Sequence, residues 1–137
     1  MVDAEEFRRW RAEAERAMES ARLQASAGIH NWACFAAEQA SQLAVKGLLH
    51  GIGKAPWGHD LVRLMATLGE EVGEVGVQLP EAAARRLSRH YIPARYPDAH
   101  PQGAPGVHYG PEDAEEALRD AEDIIEAVDR LWEDVSG

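Results

Sequence analysis

The stretch YIPARYPDAHPQGAPGVHY, residues 91–109, constrains the fold of this chain most strongly, because it cannot form a regular helix. Five of the seven prolines lie between Pro93 and Pro111, and proline fixes φ and lacks the backbone N–H that a helix needs. The stretch also contains all three tyrosines, and three of the six histidines lie in it or beside it. Long aromatic and polar loops in helical domains are often functional, and the tyrosines and prolines argue against disorder. We therefore expect any functional site to lie in this segment.

The length of 137 residues predicts a single domain, residues 1–137. Histidine, lysine or glutamate interrupts every apolar run that could span a bilayer, and the first ten residues lack the apolar region of a signal peptide. We therefore expect a cytoplasmic protein with no contact to a membrane. The single cysteine, Cys34, excludes an internal disulfide and a cysteine-rich zinc site, and we expect it to be a small buried packing residue.

The formal net charge of −10 is unevenly distributed. Residues 111–137 carry eleven acidic side chains against Arg119 and Arg130, which is typical of a solvated helix face. Residues 85–110 carry four arginines against Asp98 alone. The overall acidity argues against broad, nonspecific DNA binding, but a local basic patch can still bind a phosphate.

Apolar residues recur at helical spacing on both sides of the proline-rich segment, and no part of the chain alternates as a strand would. The pattern predicts an all-α protein, an antiparallel up-and-down bundle of four to five helices. We expect helices over residues 3–27, 29–50, 59–68, 80–91 and 111–135, with a glycine-containing connection at 69–79.

Several residues are placed to begin or end these helices. Asp3 followed by Glu6 is typical of a capping box, and Asn31 is a candidate cap for the second helix. Pro80 and Pro111 suit the first turn of the fourth and fifth helices. The alanines and Gly47 on the second helix predict that another helix approaches closely. Trp10, Trp32 and Trp132 lie on apolar stripes and are expected in the core, whereas Trp57 is expected to be exposed.

Three motifs resemble those of the HEPN family of small helical bundles, over roughly residues 4–133. Residues 33–53, ACFAAEQASQLAVKGLLHGIG, are similar to the Cys-Phe, Gln-Ala and Ala-x-Lys-x-Leu-Leu pattern of the family's second helix. Residues 58–64, GHDLVRL, resemble the family's His-Asp-Leu motif at the start of the third helix. Residues 91–99, YIPARYPDA, resemble a segment of the nucleotidyltransferase-associated branch.

The resemblance implies a homodimer and a separately encoded nucleotidyltransferase partner, with which many members form toxin–antitoxin pairs. It also implies binding of a nucleotide or RNA without a cofactor, since several members are metal-independent ribonucleases that use an Arg-x(4–6)-His motif. The chain departs from the family in two ways. Gln42-Leu43 replaces a frequent Glu-Lys pair, and Pro101-Gln102 after His100 removes the tyrosine of the Arg-x4-His-x-Tyr branch.

Arg95 and His100 fit the Arg-x4-His spacing and are the expected catalytic residues, with Tyr91, Tyr96 and Asp98 as ligand-binding residues. An arginine can hold a phosphate with two parallel hydrogen bonds, and a histidine can move the proton of a 2′-hydroxyl. The same spacing recurs at Arg85 and His90, but residues five apart on a helix point in different directions.

Other interpretations of these residues stay open. Arg95 and Asp98 can form a local ion pair that braces the loop, and His100 can be a solvated loop histidine. The segment can also act in a non-catalytic interaction module that binds the nucleotidyltransferase. No ligand spacing for a metal is recognisable among His90, Asp98, His100 and His108, so we expect no metal site. A phosphate-binding Arg95 is expected in a solvent-reached cleft, and a bracing one against Asp98 or a backbone carbonyl.

Overall fold

The computed structural model describes residues 2–73 and 78–137 and confirms the all-α prediction. These residues form five helices: α1 (Ala4–Ser26), α2 (His30–Gly51), α3 (Leu61–Val72), α4 (Glu81–Ser88) and α5 (Pro111–Ser136). Two short 3-10 turns, Pro97–Ala99 and Pro105–His108, lie between α4 and α5. Within the described residues, no helix is long and apolar enough to cross a membrane.

Two of the expected helix caps form differently from the prediction. The carboxylate of Asp3 accepts a hydrogen bond from the N–H of Glu6, but the Glu6 side chain binds Trp10 and Arg9 instead of completing the box. The prediction that Asn31 caps α2 is wrong, because Ile29 occupies that position and Asn31 lies inside the first turn. Asp60, by contrast, caps α3 by accepting a hydrogen bond from the N–H of Arg63.

The bounds of α3 and α4 also differ from the prediction. Helix α3 continues through Gly69 to Val72, because Val72 still packs against the core and one glycine is a tolerable cost in a helix. Helix α4 begins after Pro80 and ends at Ser88 rather than at Tyr91. Beyond Ser88 the backbone tightens into turns, in which the N–H groups of Arg89, His90 and Tyr91 donate to carbonyls three residues back instead of four. The remaining part of the expected connection, residues 74–77, lies outside the described residues.

Helix α1 runs antiparallel to α2 and α5. The N–H of Asp3, at the start of α1, donates to the carbonyl of Gly51 at the end of α2, at 2.6 Å. Arg11, near the start of α1, binds both carboxylate oxygens of Asp129 near the end of α5. Helices α3 and α4 pack against each other and against α2, and α4 also contacts α5. This arrangement makes α2 the central helix, which contacts all four others.

The core consists mainly of alanine, leucine and other aliphatic side chains, with Cys34 completely buried among them. Burial raises the pKa of the Cys34 thiol to about 12, so this side chain is a packing residue, as expected. The aromatic ring of Phe7 stacks on the half-buried Trp132 at 4.2 Å. The core placement expected for Trp32 is wrong: 42% of the residue is exposed, because it lies on the first turn of α2, where it meets Phe35 edge-on. Trp57 is 89% exposed, as predicted.

Gly47 permits the close approach of α1 to α2, and its replacement by alanine is expected to destabilise the bundle. A Cβ atom at this position would lie 2.7 Å from the Cβ of Trp10, which cannot move without the α1 backbone. We expect Gly47→Ala to lower the free energy of unfolding by about 1–3 kcal/mol, the usual cost of overpacking. Denaturant unfolding followed by circular dichroism measures this change.

Gly69→Ala is the matched control for this prediction. Its Cβ would meet only the flexible end of Leu79, at 3.2 Å, and alanine favours the helix. Equal free energies of unfolding for the two variants would contradict the claim that α1 and α2 lie too close for a side chain at position 47.

Candidate functional site

The segment from Tyr91 to Tyr109 is an ordered connection that packs against the N-terminal end of α2. The buried side chain of Asn31 donates a hydrogen bond to the carbonyl of Ala94 at 3.0 Å, and both residues are shielded from solvent. Pro105, in the second 3-10 turn, is also buried. These contacts fix the backbone on the N-terminal side of Arg95 relative to α2.

The guanidinium of Arg95 rests on three aromatic rings. Its central carbon lies 4.4 Å from the ring centre of Phe35, 4.6 Å from that of Tyr91 and 4.9 Å from that of Tyr96. We call these three rings the aromatic platform. Cation–π contacts of this kind hold a guanidinium in one orientation while leaving its N–H groups available.

The hydrogen bonds of Arg95 show features of both roles expected for it, since contact with a backbone carbonyl is the one expected of a bracing residue. Its Nε donates to the carbonyl of Tyr91 at 2.8 Å, which braces one edge of the side chain. Arg95 and Asp98 form no ion pair, and the Asp98 side chain is exposed. Within the described residues, the two terminal nitrogens of Arg95 have no hydrogen-bond acceptor, and the residue is partly exposed.

His100 is tied to the loop rather than to Arg95. Its Nε2 donates to the carbonyl of Pro93 at 2.7 Å, since a carbonyl can only accept. Its ring stacks on that of His108 at 4.3 Å, and the Nε2 of His108 donates in the same way to the carbonyl of Gln102. In the neutral ring of His100, Nδ1 is therefore the nitrogen that can accept a proton.

Exposed aromatic and apolar side chains surround the platform. Tyr96 is 47% exposed, and Trp32 reaches the platform through its edge-on contact with Phe35. Phe35 itself contacts Tyr91, with 6.1 Å between ring centres. The flat faces of such rings can stack on the bases of a nucleic acid.

A buried carboxylate lies behind the platform. The side chain of Glu38 has no exposed surface, and it accepts hydrogen bonds from Gln39 at 2.8 Å and from Gln42 at 2.6 Å. Burial raises the pKa of Glu38 above its ordinary value, while the two amide hydrogen bonds and the charge of Arg95 act in the opposite direction. Sequence analysis did not identify this residue, because Glu38 lies within the apolar pattern of α2.

Gln42 connects Glu38 to His59, which precedes α3. The amide nitrogen of Gln42 donates to the carbonyl of His59, and the amide oxygen lies 3.3 Å from Nδ1 of the His59 ring. That ring stacks on Tyr91, which belongs to the aromatic platform. The pairing of His59 with Gln42 and Tyr91 therefore adds a contact that the sequence did not predict.

The remaining histidine and arginine candidates have other surroundings. His90 contacts the hydroxyl of Tyr109 at 3.0 Å, and burial lowers the pKa of its ring. Arg85 is exposed on α4, whereas Arg86 binds the buried carboxylate of Asp120 with two hydrogen bonds. In the described part of the chain, no three histidine, cysteine, aspartate or glutamate side chains are grouped to hold a metal ion.

Comparison with known proteins identifies relatives over nearly the whole chain. Residues 7–131 match the family model of the HEPN domain. The structure is similar to that of TT1696 from Thermus thermophilus, with a TM-score of 0.84 and 40% sequence identity, covering 91% of this chain and 97% of that one. No protein of curated function matches the chain.

Two further solved structures are similar. One is ST0689, described as an archaeal HEPN homologue, with a TM-score of 0.74, 33% identity and coverage of 90% of this chain and 95% of that one. The other is a HEPN domain protein from Thermotoga maritima, with a TM-score of 0.72, 25% identity and coverage of 91% and 98%.

Proposed function

The chain belongs to the HEPN domain family, and from that premise we propose that it binds the phosphate of a nucleotide or an RNA strand through Arg95. The observation that carries the proposal is the outer edge of the Arg95 guanidinium, whose terminal nitrogens have no acceptor among the described residues. A guanidinium presents two parallel N–H groups that match two oxygens of a phosphate.

The surroundings of Arg95 support an anionic ligand that also carries a base. The aromatic platform restricts the guanidinium before the ligand arrives, which lowers the entropy lost on binding. The exposed faces of Tyr96 and Trp32 suit base stacking. Tyr91 holds the guanidinium through its ring and through its carbonyl oxygen. The exposed carboxylate of Asp98 can accept a hydrogen bond from a ribose hydroxyl.

Metal-independent RNA cleavage is the sharper form of the proposal. Nδ1 of His100 takes the proton of a 2′-hydroxyl as its oxygen attacks the phosphorus, while Arg95 stabilises the negative charge that develops on the phosphate. The P–O5′ bond breaks in the same step, which leaves a 2′,3′-cyclic phosphate, and the departing 5′-oxygen takes a proton from solvent. The Arg-x4-His spacing of Arg95 and His100 supports the role of a ribonuclease toxin. In that role the chain forms a homodimer, which supplies a second copy of the site, and is paired with a separately encoded nucleotidyltransferase.

RNA cleavage by the purified protein with EDTA present tests the catalytic role of His100. We expect cleavage by the wild-type protein and a loss of about a hundredfold or more in His100→Ala, the usual range for removing a general base. Arg85→Ala is the matched control, because it belongs to the other Arg-x4-His spacing and should leave the rate unchanged. Undiminished cleavage by His100→Ala, with retained circular dichroism, would remove His100 from the mechanism.

A non-catalytic interaction module is the second candidate, and one observation favours it. Several apolar side chains at the N-terminal end of α2 and in the proline-rich segment are exposed: Ile29 46%, Trp32 42%, Ile92 47%, Tyr96 47% and Val107 76%. Such residues are typical of protein interfaces. Absence of RNA binding and cleavage, together with a stable complex with the nucleotidyltransferase that Trp32→Ala disrupts, would favour this function.

A further inference from the structure

Behind the proposed ligand edge of Arg95, a continuous set of contacts links the guanidinium to a buried carboxylate. Arg95 binds the carbonyl of Tyr91 and rests on its ring, and His59 stacks on the same ring. Nδ1 of His59 faces the amide oxygen of Gln42, whose amide nitrogen donates to Glu38 at 2.6 Å. The path therefore runs from the surface of the platform to a side chain with no exposed area.

Glu38 is completely buried, and packing alone does not explain this position, because an ionisable group is seldom removed from water without a compensating partner. Two neutral amides, from Gln39 and Gln42, satisfy its oxygens. The charged groups whose field acts on it are Arg95 from the proline-rich segment and Lys46 on α2, and His59 reaches it through Gln42. Neither cation touches the carboxylate as an ion pair, so the attraction between Glu38 and Arg95 acts through space.

We propose that Glu38 is a positioning residue whose negative charge sets the affinity of Arg95 for phosphate. This inference rests on the proposed function of Arg95. While Glu38 is ionised, its charge attracts the guanidinium and opposes a second negative charge at the outer edge. When Glu38 is protonated, that opposition disappears and Arg95 binds the phosphate more tightly.

Phosphate binding and the protonation of Glu38 are coupled, so the affinity for phosphate depends on pH in a definite direction. A bound phosphate is a like charge for Glu38, so binding raises the pKa of its carboxyl further above the ordinary value. The complex therefore takes up protons relative to the free protein. The affinity of the wild-type protein for phosphate increases as the pH falls through the range in which the Glu38 carboxyl titrates. A phosphodiester keeps one charge throughout, which makes single-stranded RNA a suitable probe.

Fluorescence anisotropy with a short labelled single-stranded RNA, measured against pH, tests the inference. We expect Glu38→Gln to bind about fivefold or more tightly than the wild-type protein at mildly alkaline pH, a factor at the lower end of coupling between two sites. As the pH falls, the wild-type affinity should approach that of the variant.

Three further variants make the outcome specific. Glu19→Gln removes an exposed carboxylate of α1, so it controls for net charge and should behave as the wild-type protein does. Arg95→Ala and the double variant with Glu38→Gln should bind equally weakly, because without the guanidinium the charge of Glu38 has no cation to tune. A purely structural role of Glu38 would not change the pH profile.

The possible failures are distinguishable. Weak binding by Arg95→Ala, with the same affinity and pH profile in Glu38→Gln and wild type, would overturn the role of Glu38 and leave the function of Arg95 intact. Undiminished binding by Arg95→Ala would overturn the proposed function and this inference with it. If Glu38→Gln does not fold, carbon-13 NMR titration of the wild-type carboxyl replaces it, and a pKa of Glu38 that RNA does not raise would contradict the inference.

Discussion

Arg95→Ala weakens the binding of a short single-stranded RNA by about ten- to a hundredfold, if the guanidinium holds a phosphate as proposed. Hydrogen bonds to a charged group contribute about 1.5–3 kcal/mol, and each 1.4 kcal/mol changes an equilibrium constant tenfold. The fold should survive the substitution, because only one N–H of Arg95 is hydrogen-bonded to another of the described residues. Fluorescence anisotropy measures the affinity, and circular dichroism confirms that the variant is folded.

Two further variants separate the geometry of Arg95 from its charge. Arg95→Lys keeps the positive charge but loses the planar pair of donors and the stacking on the aromatic platform, so an intermediate affinity is expected. Arg85→Ala removes an exposed arginine of α4 and should leave the affinity unchanged. Equal affinities for Arg85→Ala and Arg95→Ala would show that RNA senses only the net charge of the protein.

Asn31→Asp is expected to destabilise the fold by about 2–3 kcal/mol at mildly alkaline pH. The Asn31 amide donates to the carbonyl of Ala94 in a buried site, and a carboxylate there would face that oxygen without a proton to share. A buried group left without a partner costs about 1–3 kcal/mol, and more when it is charged. Because Asn31 anchors the backbone beside Arg95, RNA affinity should decrease together with stability.

The pH dependence of the stability lost in Asn31→Asp identifies the buried carboxylate as its cause. Burial raises the pKa of the introduced carboxyl above its unfolded value of about 3.9, so the destabilisation grows as the pH rises above that value. Below it the carboxyl is protonated in both states and can donate to Ala94, and the loss relative to wild type disappears. Asn31→Leu is the control, since it loses the hydrogen bond at every pH. A pH-independent loss in Asn31→Asp, measured by denaturant unfolding, would show that the amide does not anchor Ala94.

Local patterns in the sequence predict most of the fold because helical stripes and proline act over short distances. Pro111 begins α5, as expected. The errors concern positions where tertiary contacts override local preference. Asn31 is a good cap by type, but the carbonyl of Ala94, distant in sequence, satisfies its side chain instead.

The candidate site is less predictable because its parts come from distant segments. The proline-rich segment and Arg95 within it stand out in the sequence, but the contact with Phe35 joins residues of two different elements. Glu38 and Gln42 are one helical turn apart, yet nothing local indicates that Gln42 also binds His59. His100 has the expected spacing from Arg95, but spacing alone does not reveal that its ring binds Pro93 and stacks on His108.

NMR of the arginine guanidinium groups, with and without a short single-stranded RNA, tests most directly whether Arg95 holds the phosphate. Arg95→Ala assigns the Arg95 signals, and the aromatic platform should separate them from those of exposed arginines through ring-current shifts. The account predicts that the terminal N–H signals of Arg95 shift and sharpen in proportion to the bound fraction, as they would on gaining phosphate acceptors. RNA that saturates the protein while these signals stay unchanged would contradict it.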